Sequence, residues 1–463
     1  MNSISLVRAA ALGSALACSA AVGRAQTAAT PATSRVEWTL DAVLAATAAR
    51  HPLVEAARAR VSAARGTRRT AGALPNPVAT YQVENAPFPG RVAPPGLERE
   101  TATFLTLPLE PLYQRWSRTR GANEEIRAAE AALVAVRRQV ALDAAHAFYR
   151  VALAQVSLAT AEETRSAIER LASFNRVRVT EGAAAEGDLI RVQVELDRAA
   201  TEVALEQVEL ARARAELLPF LGSSADAGTA LDSVRVAEPP VATEVVALPA
   251  IVTFVSRARL GRPELVEARA RVAAAGAETA YQRALTVRQI GATFGSKRVS
   301  GESSMIAGVS VPLPLFDQNR GEVQRASAER AAAERELEWA ERTVAAQVRG
   351  AYEAADRLSA QVARLQGTFL ARAEESRRIA LAAYEEGAAN LLQVLDASRA
   401  LGDARLTYYR VLLAQRQSLL DLAVAAGDEP GAALSTSDNS RNSPPTAAGP
   451  APTDGLPGAG GRP

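Results

Sequence analysis

The stretch HPLVEAARARVSAA, residues 51–64, returns later in the chain as RPELVEARARVAAA, residues 262–275. In both copies a proline is followed by the same Ala-Arg-Ala-Arg-Val segment and then, one residue on, by two alanines. Each copy precedes the same series of segments: two short β-like stretches and a very long helical stretch that a glycine interrupts. We therefore predict two structural repeats, at residues 37–220 and 261–427, with a linker or equatorial region at 221–260 between them.

Two further pairs of motifs keep the same order in both repeats. Leu-Thr-Leu-Pro-Leu at 105–109 corresponds to Val-Ser-Val-Pro-Leu at 309–313. Val-Thr-Glu-Gly, which ends at Gly182, corresponds to Tyr-Glu-Glu-Gly, which ends at Gly387. Because glycine readily adopts the backbone conformation that terminates helices, Gly182 and Gly387 are predicted to be turns at which a long helix reverses.

Long helices are indicated by two stretches that contain no proline. Small and apolar residues recur there every seven positions, which is the heptad pattern of supercoiled helices. We predict helices at 117–179 and 320–384, which return as helices at 189–218 and 391–426. The heptad positions are Ile126, Leu133, Val140, Ala147, Ala154, Ala161 and Ile168 in the first stretch, and Leu337, Val344, Ala351, Leu358 and Leu365 in the second.

Four other segments, each of 8 to 10 residues, are rich in Val, Thr, Ile and Phe and partly alternate between apolar and polar residues. They form two predicted hairpins, at 78–109 and 286–312, and have the length of tilted transmembrane strands. Only a closed barrel pairs every backbone group in lipid, and four strands cannot close one. The chain is therefore predicted to oligomerise: two protomers would supply 8 strands and three would supply 12, and composition alone does not choose between them. The predicted strands are 78–85, 101–109, 286–295 and 303–311.

The N-terminus carries an export signal. Arg8 precedes an apolar run at 9–17, and Gly-Arg-Ala at 23–25 places small residues where a signal peptidase reads them. We predict a signal peptide at 1–25 and an N-terminal linker at 26–36. An alternative interpretation takes Ala-Leu-Ala before Cys18 as a lipidation box, which would make Cys18 an acylated N-terminus.

The C-terminal residues 428–463 are mostly Pro, Gly, Ala, Ser and Thr, without apolar periodicity. Such a segment cannot bury enough surface to offset its ordering entropy, so we predict a disordered tail.

Composition argues against several classes of function. The 53 basic and 51 acidic residues are spread throughout the chain and form no basic stripe, so no nucleic-acid partner is expected. His51 and His146 are the only histidines and lack neighbouring ligands at helical spacing, so neither is predicted to bind a metal. No catalytic triad or phosphate loop is present, and we predict no enzymatic activity and no cofactor.

Several motifs together resemble the outer-membrane factor family typified by TolC. They are Pro-Asn-Pro at 75–77 followed by Glu84-Asn85, Pro-Leu-Pro-Leu-Phe-Asp-Gln-Asn-Arg-Gly at 312–321, and the two glycine turns. The part at 314–321 is most similar to the branch that exports heavy-metal cations. The resemblance implies a mainly helical homotrimer with a 12-stranded barrel in outer-membrane lipid and a helical periplasmic tunnel. It also implies a periplasmic adaptor and an inner-membrane pump of the resistance-nodulation-division type as partners.

The family resemblance also implies a gate at the periplasmic entrance. A family tyrosine corresponds to Tyr384 and a family aspartate to Asp188, and a hydrogen bond between such groups would hold the entrance closed. A family arginine corresponds to Ala389, so that contact is missing here. Of two acidic rings, one falls on Gln393 and only the other, Asp396, is acidic, so the constriction is expected to be less negative.

The sequence thus predicts a passive exit duct in the outer membrane of a Gram-negative bacterium, most similar to those for heavy-metal cations. Two alternatives remain open from the residues alone. The same fold would serve as the outlet of a type I secretion or drug efflux system. A periplasmic coiled-coil scaffold would instead leave the four β-like segments outside the membrane.

Overall fold

The protein is described by a computed structural model that covers residues 37–92, 94–110, 112–222, 231–237, 248–286 and 290–430. The predicted signal peptide, Cys18, the linker at 26–36 and the tail from residue 431 onward lie outside these residues. The helices are α1 (Leu40–Arg50), α2 (Pro52–Gly72), α3 (Leu112–Thr180), α4 (Glu186–Leu217), α5 (Ile251–Gly261), α6 (Pro263–Ala284), α7 (Arg320–Gln366), α8 (Phe369–Glu385) and α9 (Leu391–Ala426). The strands are β1 (Glu37–Trp38), β2 (Val78–Glu84), β3 (Glu100–Leu109), β4 (Arg235–Val236), β5 (Ile290–Val299) and β6 (Glu302–Ser310).

The two similar stretches of sequence begin α2 and α6. Each helix has its proline, Pro52 or Pro263, at the first helical position, where the missing N–H leaves no bond unmade. The His51 side chain caps α2 by accepting a hydrogen bond from the Leu53 N–H at 3.3 Å. α2 is followed by β2, β3, α3 and α4, and α6 is followed by β5, β6 and helices α7 to α9.

Helix α3 runs without a break for 69 residues, longer at its N-terminus than the predicted 117–179. The second long helix differs from its prediction, because the structure divides 320–384 into α7 and α8. The break falls at Gly367 and Thr368, and Thr368 leaves helical geometry with φ −138° and ψ −14°. Glycine and threonine both have poor helix propensity, and adjacent they weaken the helix at this point.

A four-stranded antiparallel sheet has the order β2-β3-β5-β6. The third strand was predicted to start at Thr286, but Thr286 lies in the turn after α6, where its hydroxyl donates to the Arg283 carbonyl at 2.9 Å. Strand β5 instead continues to Val299, paired with Glu100 of β3. The first strand ends one residue early because Asn85 has a positive φ of 55°.

The helices that leave the sheet have the same neighbour order as its strands. Helix α3 packs between α2 and α6, and α6 packs against α7. Arg115 Nη2 donates to the Gly72 carbonyl at 2.7 Å, and Gln114 donates to the Ala284 carbonyl at 2.9 Å. The Thr279 hydroxyl donates to a carbonyl of α7 at 3.1 Å. A continuous wall therefore runs from sheet to helices in the order α2, α3, α6, α7.

The largest apolar core lies midway along α3, where Val43 and Leu44 of α1 pack with Phe148 and Val151. Strands β1 and β4 pair in parallel beside it, and the Gln155 amide bonds both backbone groups of Val236 at 2.9 and 3.0 Å. The region at 221–260, predicted as a linker or equatorial region, contains β4 and most of helix α5, which packs against α7 and α9. In the described part of the chain, no helix combines the length and hydrophobicity that crossing a bilayer requires.

Candidate functional site

Both predicted glycine turns lie where one helix ends and the next begins. Gly182 separates α3 from α4 with φ +72°, and Gly387 separates α8 from α9 with φ +77°. The two turns share their hydrogen bonding, since the Ala183 N–H donates to Arg178 and the Ala388 N–H donates to Ala383, both at 2.7 Å. Each of these bonds satisfies a carbonyl that the helix end would otherwise leave unpaired.

Tyr384 connects the two helix pairs near these turns. Its side chain is 5% exposed, and its hydroxyl donates to Asn175 Oδ1 of α3 at 2.6 Å. Asn175 is fully buried, and its Nδ2 donates to the Leu171 carbonyl at 2.9 Å. Both polar side chains are therefore satisfied inside the protein, as burial requires.

The predicted hydrogen bond between Tyr384 and Asp188 is not formed, because the tyrosine proton goes to Asn175. Asp188 lies in the first turn of α4, where a carboxylate is stabilised by the positive end of the helix dipole. Asn175 occupies the heptad position seven residues after Ile168. It is a polar residue in an otherwise apolar stripe, and that is the sequence signal that marks it.

Two further side chains that the sequence did not single out surround the tyrosine ring. The Arg178 guanidinium carbon lies 5.3 Å from the Tyr384 ring centroid and 5.7 Å from that of Phe174. The Phe174 and Tyr384 rings meet edge to face at 6.0 Å. Arg178 therefore covers both rings with a cation–π contact next to the first glycine turn.

An apolar cluster extends this connection along the helices. Ile168, Leu171, Ala172, Val192 and Ala199 of α3 and α4 pack with Tyr384, Leu391, Val394 and Leu395 of α8 and α9. Charged pairs strengthen the same contact, because Arg405 of α9 pairs with Glu163 of α3 and with Glu374 of α8. Arg399 of α9 pairs with Glu195 of α4.

Gln393 and Asp396 lie on the face of α9 that points away from this cluster. Gln393 forms a capping box with Asn390, whose Oδ1 accepts from the Gln393 N–H at 3.0 Å. Asp396 is exposed and lines a groove of ≈ 1160 Å³ between α8 and α9. Gln393 thus stabilises the start of the helix, and Asp396 is the acidic side chain of α9 on the groove wall.

The sheet has two chemically different faces. One face carries exposed apolar side chains on all four strands: Tyr81, Leu105, Leu107, Leu109, Phe294, Met305 and Val309. The opposite face carries Thr106 and Thr293, whose hydroxyls lie 3.2 Å apart, and the ion pair of Lys297 with Glu100. Glu84 lies 3.9 Å from the same lysine. Alternation within each strand therefore places most exposed apolar side chains on one face and most polar ones on the other, which also holds Val78, Phe104 and Ile306.

The two histidines have structural partners. His51 caps α2 and stacks on Phe220 with 5.7 Å between ring centroids. His146 Nε2 lies 2.8 Å from Asp421 Oδ1, which joins α3 to α9. The described residues contain no group of three or more His, Cys, Asp or Glu side chains that could hold a metal ion.

This fold, a two-faced sheet joined to long reversing helices, is shared with solved outer-membrane channels. Residues 254–428 match the family described as Outer membrane efflux protein, which confirms the resemblance seen in the sequence. The chain is a protein of the outer membrane, and the members of the matched family are channels rather than enzymes.

Two named relatives are similar in sequence. The cobalt-zinc-cadmium resistance protein CzcC of Cupriavidus metallidurans is 28% identical over 81% of this chain and 86% of its own length. The cation efflux system protein CusC of Escherichia coli is 26% identical, and the match spans 64% of each chain.

Solved structures show the same fold. A crystal structure of CusC superimposes with a TM-score of 0.71 at 22% identity, covering 85% of this chain and 93% of CusC. The outer-membrane channel OprN gives a TM-score of 0.72 at 18% identity, covering 84% of this chain and 90% of OprN.

Proposed function

We propose that this chain is the outer-membrane channel of a tripartite efflux system and a passive exit duct for heavy-metal cations. The observation that carries the proposal is the sheet, which has one apolar face, one polar face and open edges at β2 and β6 within the described residues. A barrel wall between lipid and water needs these two faces. The helices α2, α3, α6 and α7 follow the strands in the same order, so a barrel of these strands would continue into a helical tunnel.

Oligomerisation follows from the open edges. Unpaired backbone groups are too costly in lipid, so the edges of one four-stranded sheet must be closed by other copies. A homotrimer provides one 12-stranded barrel, which is the assembly that the family resemblance implies. A periplasmic adaptor and a resistance-nodulation-division pump in the inner membrane would complete the system.

Heavy-metal cations are the proposed cargo because the names of two relatives refer to cobalt, zinc and cadmium resistance and to cation efflux. Soft and borderline cations prefer thiolate and imidazole ligands. The single cysteine, Cys18, lies in the predicted signal peptide, and both histidines have structural partners. We therefore assign metal selectivity to the pump and adaptor.

The gate is proposed to be the region around the two glycine turns, Gly182 and Gly387. Tyr384 and Asn175 hold the α8/α9 pair against the α3/α4 pair. Asp188 lies at the start of α4. In this proposal it does not accept the Tyr384 hydrogen bond, because Asn175 does. Gln393 and Asp396 would face the opening, and three copies of Asp396 around a trimer axis would favour cations electrostatically.

The experiment that tests this function is complementation of a metal-sensitive deletion strain. The substitution Asp396→Lys, which would place three positive charges at the entrance, should lower metal resistance without reducing the amount of trimer. The double substitution His51→Ala, His146→Ala is the control and should leave resistance unchanged. Loss of resistance in correctly assembled histidine variants would contradict a passive duct, as would full resistance in the lysine variant.

A further inference from the structure

A groove lies in the helical wall, within about 16 Å of the helix ends that adjoin the sheet. It occupies ≈ 330 Å³ between α3, α6 and α7, and its floor is made of small residues of α6 such as Ala273, Gly276 and Ala280. Two arginines and one tryptophan border it: Arg120 and Trp116 of α3 and Arg330 of α7. Small residues next to large cationic and aromatic ones provide a cleft that a ligand can enter.

Trp116 and Arg120 form one unit on the surface of α3. Trp116 is 61% exposed, and the Arg120 guanidinium carbon lies 5.3 Å from its ring centroid. Side chains on a helix lean toward its N-terminus, so Arg120 reaches back toward the sheet. Trp116 is four residues into α3, about 6 Å from the helix start at 1.5 Å per residue. Both groups therefore lie just beyond the end of β3.

A neighbouring copy in the same ring does not explain why this unit is exposed. Helix α3 lies between α2 and α6 of its own chain, whereas the edges of the wall are α2 and α7. The exposed side of Trp116 therefore faces either the membrane surface or the duct. A tryptophan with an arginine at the level of lipid headgroups is the usual interfacial arrangement, because the ring is amphipathic and the guanidinium pairs with phosphate.

We propose that this groove binds the headgroup phosphate of an anionic phospholipid in the periplasmic leaflet of the outer membrane. Arg120 holds the phosphate, and Trp116 lies beside the glycerol and the start of the acyl chains. Arg330, whose Nε is held by Glu334 at 2.9 Å, provides a second cationic group at the border. The proposal rests on the proposed function, since it requires the sheet to lie in the membrane.

Tryptophan fluorescence in vesicles tests the proposal directly. The chain has three tryptophans, so Trp38→Phe with Trp339→Phe leaves Trp116 as the only one. The purified trimer is inserted into phosphatidylcholine vesicles that contain equal fractions of dibrominated phosphatidylglycerol or dibrominated phosphatidylcholine. We expect brominated phosphatidylglycerol to quench Trp116 about two-fold more strongly, since every 0.4 kcal/mol of preference is about a factor of two in occupancy.

Matched variants identify the residues responsible. Arg120→Gln should abolish the preference for phosphatidylglycerol, whereas Arg335→Gln, at a site 84% exposed on α7, should retain it. A protein whose only tryptophan is Trp339, about 28 Å along α7 from its start, should be quenched by neither lipid.

Two results would overturn the groove alone: Trp116 quenched equally by both lipids, or quenched only by soluble acrylamide, in trimers shown to be inserted. Preference retained in the Arg120→Gln variant would overturn the role of Arg120. Failure of the wild-type chain to insert as a trimer would contradict the proposed function and the groove together.

Discussion

Asn175 and Tyr384 form the one described hydrogen bond between side chains that is buried and joins α3 to α8. A neutral hydrogen bond contributes about 0.5–1.5 kcal/mol, and a buried polar group left without a partner costs about 1–3 kcal/mol. If these helix pairs form the proposed gate, removing one partner should destabilise its closed arrangement by about 1 kcal/mol or more.

We predict that Tyr384→Phe raises the open probability of single channels in planar bilayers by about five-fold to ten-fold, corresponding to about 1–1.4 kcal/mol. The substitution leaves Asn175 Oδ1 without its donor but keeps the aromatic ring. Tyr352→Phe, a half-buried tyrosine that packs on Phe254 of α5, is the control and should behave as wild type. Equal open probability in both variants would remove Tyr384 from the gate.

Arg262 and Glu264 form a second residue-scale contact, where α5 meets α6. Burial alone would raise the pKa of Glu264, but the hydrogen bonds from the Arg262 Nε and Nη2 atoms, both 3.0 Å, lower that pKa below the ordinary value of 4.5. A carboxyl with a depressed folded-state pKa stabilises the fold fully above its unfolded value. That contribution is lost as the pH falls through the folded value.

We therefore predict that the thermal unfolding midpoint of the wild type falls more steeply below pH 4.5 than that of Glu264→Gln. Above that pH the variant should be the less stable of the two. Glu336→Gln, at an exposed site on α7, is the control and should follow the wild-type curve. Parallel curves for wild type and Glu264→Gln would show that this ion pair does not contribute to stability.

At the residue scale, the sequence predicted the positions that depend on backbone conformation. It did not predict which side chain accepts a hydrogen bond from a distant helix. Gly182 and Gly387 could be predicted as turns because a positive φ favours glycine. The acceptor for Tyr384 was assigned to Asp188 through family resemblance, and the structure replaces it with Asn175. Which residue of α3 faces α8 depends on how two distant helices pack, and heptad spacing alone does not specify that.

At the scale of elements, Gly295 of β5 is the sheet glycine with the least room for a side chain. A Cβ atom there would lie 2.2 Å from the Thr103 carbonyl oxygen and 2.5 Å from the Phe104 Cβ. Gly308 of β6 lies in the same sheet, and a Cβ atom added there would have no other atom within 4 Å. The sheet therefore requires glycine at one of these sites and not at the other.

Gly295→Ala should separate β3 from β5 and sharply reduce the yield of detergent-resistant trimer. Gly308→Ala is the matched control, and its yield should stay near that of wild type. The measurement is the trimer band on unheated gels of outer-membrane extracts. Equal yields would mean that the two hairpins are not joined through Gly295.

The sequence located α3 and three of the four sheet strands to within a few residues, but it misplaced the third strand and missed the break at Gly367. A heptad sustained over many turns is a strong periodic signal, so α3 was found to within a few residues of its ends. The extent of β5 depends on cross-strand partners, since Lys297 pairs with Glu100 on a neighbouring strand. A short alternating segment does not reveal those partners, and its boundaries shift accordingly.

At the scale of the whole molecule, two observations point to assembly. The sheet presents an apolar face and two open edges, and the helical wall continues it in the same order. An isolated chain in lipid would leave the backbone groups of β2 and β6 unpaired. Copies of the chain can satisfy those groups by pairing β6 of one with β2 of the next.

The most direct test of this account is the mass of the folded complex extracted from the outer membrane in mild detergent, measured by native mass spectrometry. We predict three chains per particle, because each chain contributes four strands and the family resemblance implies a barrel of 12. A fully folded monomer recovered from the outer membrane would contradict the channel that we propose.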